Sequence, residues 1–233
     1  VSSCLTWADT LTAQKAEERA ARQAERDEMI ANGEELPEED DEEPAEDAED
    51  EEVPSFSDDN YQRRVPHAGF QHWKEVEHRV KVANSDTLHT YVVFAGLPYG
   101  GGEDYLAPLF KAAWHREALP MHTDGSNNVP MIHVDDLATV VFKTGTYLEV
   151  LPQRFILGVD RGLSTWGQVV KALNSAMGVG ETYQEPRLST VAHAEWFTIN
   201  IKLDGAVIHE LIDESEWVAV DGFAASIDRV VDE

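Results

Sequence analysis

Between Glu34 and Glu52 the chain carries 14 acidic side chains and no basic one, punctuated by Pro37 and Pro44 and followed by Pro54. Like charges at that density repel one another, and the stretch lacks the large apolar groups whose burial would offset ordering entropy. The composition predicts a disordered tract over residues 33–54 that cannot enter a core. Whatever folds here is therefore built from the flanking segments. As a solvated insertion loop the tract needs no partner; as an interaction segment it would meet a basic protein surface.

The tract explains about half of the net charge of −27 and leaves −13 for the remainder. So acidic a surface argues against binding nucleic acid or anionic membrane. No apolar run approaches the roughly 20 residues needed to span a bilayer. The single cysteine, Cys4, excludes an intrachain disulfide and fits a reducing compartment. At 233 residues the chain can bury a real core in one large domain or two small ones. It opens mid-strand at Val1 without an initiator Met, which suggests a piece of a longer protein.

Ahead of the tract, residues 10–32 are rich in Ala, Glu, Arg and Gln and close on Asn32-Gly33, which predicts a helix. Glu18 and Arg22 have i,i+4 spacing. The apolar positions (Leu11, Ala13, Ala16, Ala20, Ala24) are mostly alanine, so the helix is expected to be solvated or to dock on a partner.

Beyond the tract, Thr90–Phe94 reads as a buried strand stopping in a glycine-rich loop, Ala95-Gly-Leu-Pro-Tyr-Gly-Gly-Gly102. Met131–Val134 is an apolar run ending in a polar turn, where Asp135 or Asp136 can cap a helix entered at Leu137. That helix is expected to run from Asp136 to Lys143, with Thr144–Val150 continuing it or breaking at Gly145. Arg154–Gly158 is a further strand, and Ser164 or Thr165 caps a helix through Trp166, Val169, Val170, Leu173 and Met177 that stops at Gly178.

These stretches, in this order, resemble the C-terminal half of an extended short-chain dehydrogenase/reductase of the nucleotide-sugar epimerase family. Ser2-Ser-Cys-Leu-Thr-Trp7, Ala95-Gly-Leu-Pro-Tyr-Gly100 and Ile132-His-Val-Asp-Asp-Leu-Ala138 are similar, more closely, to the epimerase-like domain that precedes the kinase domain in the adenylate kinase 7 family. The resemblance covers residues 1–8 and 58–233. It implies an α/β fold: the C-terminal half of a doubly wound Rossmann-like parallel sheet with a small substrate lobe. One partial domain over 1–233 then carries an insertion at 10–57, made of the helix 10–32 and the acidic tract.

The family's site residues match poorly. Its catalytic Ser or Thr falls nearest Cys4, with Ser3 one residue earlier. Its Tyr and Lys, a helical turn apart, fall on Phe70 and Lys74, and Phe has no phenol to move a proton. Tyr61 is followed by Val65 at i+4 and supplies no such pair. In the cofactor loop Phe94 and Ala95 replace Arg-Pro, while Gly96, Tyr99 and Gly100 remain. The Arg that holds a nucleotide diphosphate near Asn128 or Val129 is missing. In the His133, Asp135, Asp136 motif, His133 is expected to hydrogen-bond backbone and hold the loop. His67, His72 and His78 have no metal-site spacing, so no metal is expected. Gly100-Gly-Gly102 is followed by no Lys-Ser/Thr and is not a phosphate loop.

The remaining expectations concern helices. Asp58–Val82 should be helical with an early break at Pro66. Tyr105–Ala118 should bury Leu106, Leu109, Phe110, Ala113 and Trp114, and Asp124–Asn128 should turn. Ala192–Ile201 should pass from helix to strand, Leu203–Ile212 should be a helix striped by Leu203, Val207 and Leu211, and Phe223, Ile227 and Val230 fall at helical spacing in a closing segment.

The resemblance implies a non-catalytic, structural domain in the axoneme of motile cilia or flagella. Axonemal proteins would be its partners, docking along Leu11–Asn32 or the lobe helices after Tyr105 and Thr165. Two alternatives stand beside it. One is a sensor that holds NAD(P) or a nucleotide. The other is an active NAD(P)-dependent epimerase or reductase using Tyr61 or Tyr99 as acid. The family's dinucleotide-binding glycine fingerprint lies upstream of the matching half. ATP and AMP chemistry would need a kinase domain, whose Gly-x-x-x-x-Gly-Lys loop does not occur in residues 1–233.

Overall fold

The computed structural model describes residues 1–32, 53–147, 151–178, 183–184 and 195–232. Most of the acidic tract lies outside them. Val53, which the composition placed in that tract, packs half-buried against the core.

A parallel sheet in the order β1 (Ser2–Ser3), β3 (Val92–Ala95), β8 (Phe155–Gly158) organises the chain. Ser2 pairs with Phe94, and Val92–Ala95 with Phe155–Gly158. Successive side chains point to opposite faces, and both faces are buried. Phe94, Phe155 and Leu157 join the larger core, while Val93 and Ile156 join a second cluster with Ile132, Val140, Ile208 and Trp217. A continuous apolar run such as Val-Val-Phe-Ala is what a parallel strand covered on both faces requires.

At Gly96 the chain leaves this sheet. β4 (Leu97–Tyr99) pairs in parallel with β7 (Met131–His133) instead. A Cβ at Gly96 would lie 2.8 Å from the Met131 carbonyl carbon, so no larger residue fits without backbone movement. The predicted glycine-rich loop follows, with Gly100, Gly101 and Gly102 all left-handed at φ 81°, 61° and 76°.

The helix before the tract forms where its composition predicts, as α1 (Thr10–Asn32), with only Thr10 and Leu11 buried. The region 58–82 breaks near Pro66 into two 3₁₀ turns, Asp58–Arg63 and Ala68–Phe70, and then α2 (Gln71–Val82). The residues just before it are not loop. β2 (Ser55–Ser57) pairs with β11 (Lys202–Asp204), so Leu203 lies in a strand and not on a helical stripe. The helix there is shorter, α7 (Ala206–Leu211), with Ile208 buried.

The lobe holds α3 (Ala107–Trp114), β5 (Leu119–Pro120), β6 (Asn128–Val129), β9 (Ser164–Thr165), α5 (Trp166–Ala176), β10 (Tyr183–Gln184) and α6 (Glu195–Thr198). Thr165 caps α5 in a capping box with Gln168, and Gly178 follows its end at φ 63°. α3 ends at Trp114, short of the predicted Ala118, and the Trp114 ring, expected on the apolar face, is 75% exposed. α4 (Val134–Thr146) runs through Gly145 without a break. The closing segment becomes helical only at α8 (Ile227–Asp232), with Phe223 buried ahead of it. Among the described residues no helix is long and apolar enough to cross a membrane.

Candidate functional site

The C-terminal ends of β1 and β3, with the start of α2, bring the sequence-predicted site residues into one region. Ser3 caps the 3₁₀ turn Cys4–Trp7, its hydroxyl accepting from the Leu5 N–H at 3.2 Å. Cys4 is fully buried and its thiol donates to the Phe94 carbonyl at 3.5 Å. Burial pushes this thiol far above the ordinary cysteine range, so it supplies neither a thiolate nor a mobile proton.

Phe70 ends the turn before α2, half-buried, with its ring 6.3 Å from that of His67. Lys74 lies one turn on. Its ammonium donates to the Arg64 carbonyl at 3.0 Å, and desolvation, then the nearby Arg64 charge, lowers its pKa. Beside it, Arg64 and Glu77 form an ion pair at 2.5 Å, and Ser2 Oγ donates to the other Glu77 oxygen. The Arg64 guanidinium also lies over Phe94 and Phe155, at 5.3 Å and 5.1 Å from the ring centroids. Arg64 and Glu77 were not legible as site residues, since the sequence carries no local signal that joins them.

The retained loop and motif residues serve packing. Tyr99 is fully buried, donates to Asp160 Oδ2 at 2.7 Å, and meets the rings of His133 and Phe223 edge-on. Asp160 also accepts the His133 N–H at 3.2 Å, and burial raises its pKa to about 8. His133, not Asp135 or Asp136, caps α4, which begins at Val134: its Nδ1 accepts from the Asp135 N–H at 3.2 Å. This is the backbone-holding role the motif suggested. Asp135 is exposed. Asp136 is drawn away from the helix end and accepts from the Val218 and Ala219 N–H groups at 2.7 and 3.0 Å, tying α4 to the closing segment.

A cavity of about 360 Å³ lies away from these residues, between the N-terminal half of α1 and α6. Asp9, Lys15, Arg19, His67, Glu195 and Asn200 supply its polar lining, and none of Ser3, Cys4, Phe70 or Lys74 lines it. His67 instead caps the turn before α2, and among the described residues no His, Cys, Asp and Glu group could hold a metal ion.

No protein-family model matches the chain. It is 31% identical to adenylate kinase 7 of Mus musculus over 196 residues, which is 79% of this chain and 31% of the mouse protein. It is 32% identical to adenylate kinase 7 of Macaca fascicularis over 154 residues, 62% of this chain and 28% of that one. The chain thus spans about a third of the length of these relatives. Among solved structures it resembles the human epimerase family protein SDR39U1 with NADPH, at TM-score 0.62 and 15% identity, covering 77% of this chain and 60% of that one. It also resembles UDP-glucuronic acid 4-epimerase from Bacillus cereus with NAD, at TM-score 0.58 and 16% identity, covering 78% and 56%. At such identities these two show the fold alone. Sequence and fold together make the chain an epimerase-like domain of the adenylate kinase 7 family.

Proposed function

We propose that this chain is a non-catalytic, dehydrogenase-like interaction domain of an adenylate-kinase-7-like protein in the axoneme of motile cilia or flagella. One observation carries the reading: the acid–base relay that the fold's enzymes require has no working member here. Phe70 stands where the phenol belongs, Lys74 is tied to the Arg64 carbonyl, and Cys4 is sealed under Phe94. General acid–base help is worth roughly 10²–10⁴ in rate. Asn128 offers no cation to a diphosphate, and its side-chain amide donates to Asn200 at 3.0 Å.

These residues do not fit the nicotinamide end of a dinucleotide as a proton relay, and no step is assigned to NAD(P). A sensor that holds NAD(P) without turning it over draws support from the solved neighbours, which carry NADPH or NAD. Phosphoryl transfer between ATP and AMP would belong to a part of the polypeptide outside this chain. Affinity capture with the complete tagged protein from ciliated cells tests the interaction reading. It should retain axonemal proteins, and an eluate free of them contradicts it.

A further inference from the structure

In so acidic a molecule, the exposed end of α3 stands out. Lys111, Trp114 and His115 share one helical face, and Arg116 follows directly; all four are exposed, Trp114 at 75%. α3 itself contains no acidic residue. Among the described residues the side chains of Lys111, Trp114, His115 and Arg116 make no hydrogen bond, ion pair or ring contact. The helix is firmly seated beneath them: Leu109 and Ala113 are buried, and Glu103 accepts the Tyr105 and Leu106 N–H groups at its start.

Its last turn carries a second sign. The Glu117 N–H bonds the Ala112 carbonyl and the Arg116 N–H bonds that of Ala113, the paired bonds of a Schellman ending. The left-handed position of that motif normally holds glycine. Here it holds Arg116 at φ 57°, a strained conformation for a residue with a Cβ. Glycine would relieve the strain and remove the side chain. Arginine there adds an exposed cation two residues beyond the exposed Trp114.

We propose that this basic–aromatic knob docks an acidic segment of another protein, one that carries an apolar or aromatic residue to cover Trp114. This deepens the reading of the chain as an interaction domain and rests on it. Charge complementarity selects the occupant. At physiological ionic strength the Debye length is about 8 Å, so an acidic strand lying along Lys111 and Arg116 feels those two cations and the one exposed carboxylate beside them, Glu117, and little of the carboxylates farther away. A flat anionic membrane would meet the whole surface of a molecule at −27, and a second copy would bring the same net charge.

The test is fluorescence anisotropy of the complete protein with a fluorescein-labelled synthetic peptide of glutamate and phenylalanine. Binding should occur at physiological salt, where the rest of the charge is screened, and weaken as salt is raised further. Trp114→Ala, and separately Lys111→Glu with Arg116→Glu, should each weaken it about tenfold or more. Arg116→Gly separates binding from folding: it should raise the thermal midpoint and still weaken the peptide. Binding unchanged by these variants overturns the proposal. So does binding only to phosphatidylserine vesicles, or self-association in sedimentation that the same variants abolish. Turnover of nucleotide sugars would instead count against the non-catalytic reading, so the two failures are distinguishable.

Discussion

The guanidinium of Arg64 and the carboxylate of Glu77 meet at 2.5 Å with side chains 6% and 3% exposed, between the aromatic face of the central sheet and α2. A buried pair of this kind is weak evidence of net stabilisation, but removing one partner strands the other charge. Glu77→Ala is expected to destabilise the fold by about 3–5 kcal/mol in urea unfolding, and Arg64→Met on top of it to recover part of the loss. A cost for Glu77→Ala within the usual surface range of about 0.5 kcal/mol would mean that Arg64 finds other solvation.

Asp160 gives the fold a pH dependence with a definite sign. Its pKa is raised to about 8 by burial, against an unfolded value near 3.9. Between those values the folded chain holds a proton that the unfolded chain has lost, so stability from this group is complete below about pH 4 and declines as pH rises through 8. Asp58, raised by burial to about 6 while accepting from the Leu157 and Val207 N–H groups, adds a decline in the lower part of that window. Asp160→Asn keeps the shape and the bond from His133, and its amide can donate to Tyr99. Its unfolding midpoint should exceed the parent's at pH 8 and vary less from pH 5 to 8. An unchanged slope would show that the carboxyl titrates normally.

Lys74 holds a carbonyl and is not placed to move a proton. Lys74→Ala should cost about 0.5–1.5 kcal/mol, the net worth of one hydrogen bond, and should leave any measurable enzymatic activity of the complete protein unchanged. Steady-state kinetics of the variant check this, and a collapse of any activity in a folded variant would place Lys74 in a working site.

The elements legible in the sequence are those that carry their own signals. α1 is set by composition and its closing Asn-Gly, α5 by its Thr165–Gln168 box, and the turn at Gly96–Gly102 by its glycines. What escaped depends on partners distant in the chain. Leu203 follows a helical spacing yet pairs with Phe56 as a strand. Asp136 would cap a helix in isolation, but the Val218 and Ala219 N–H groups compete for it. Of the candidate site, sequence alone picked out Phe70 and Lys74, which the fold sets one helical turn apart at the start of α2. The polar groups that fill the region, Arg64, Glu77 and Asp160, were not picked out, because each acquires its role from residues brought together only by the fold.

Deleting residues 34–52, while keeping Val53 and Phe56 that pack on the core, should leave the thermal midpoint nearly unchanged. Calorimetry of the deleted and parent proteins decides this, and a large drop would mean that the tract contributes to packing.

The central claim is that the epimerase fold here has no acid–base chemistry. Its most direct test is turnover of a nucleotide-sugar panel by the complete protein supplied with NAD⁺ or NADP⁺, followed by product chromatography and nicotinamide absorbance. The account predicts no conversion above background for the parent protein, and none for Phe70→Tyr, since Cys4 stays sealed beneath Phe94 and Lys74 stays on the Arg64 carbonyl. Robust cofactor-dependent conversion by the parent protein would contradict it.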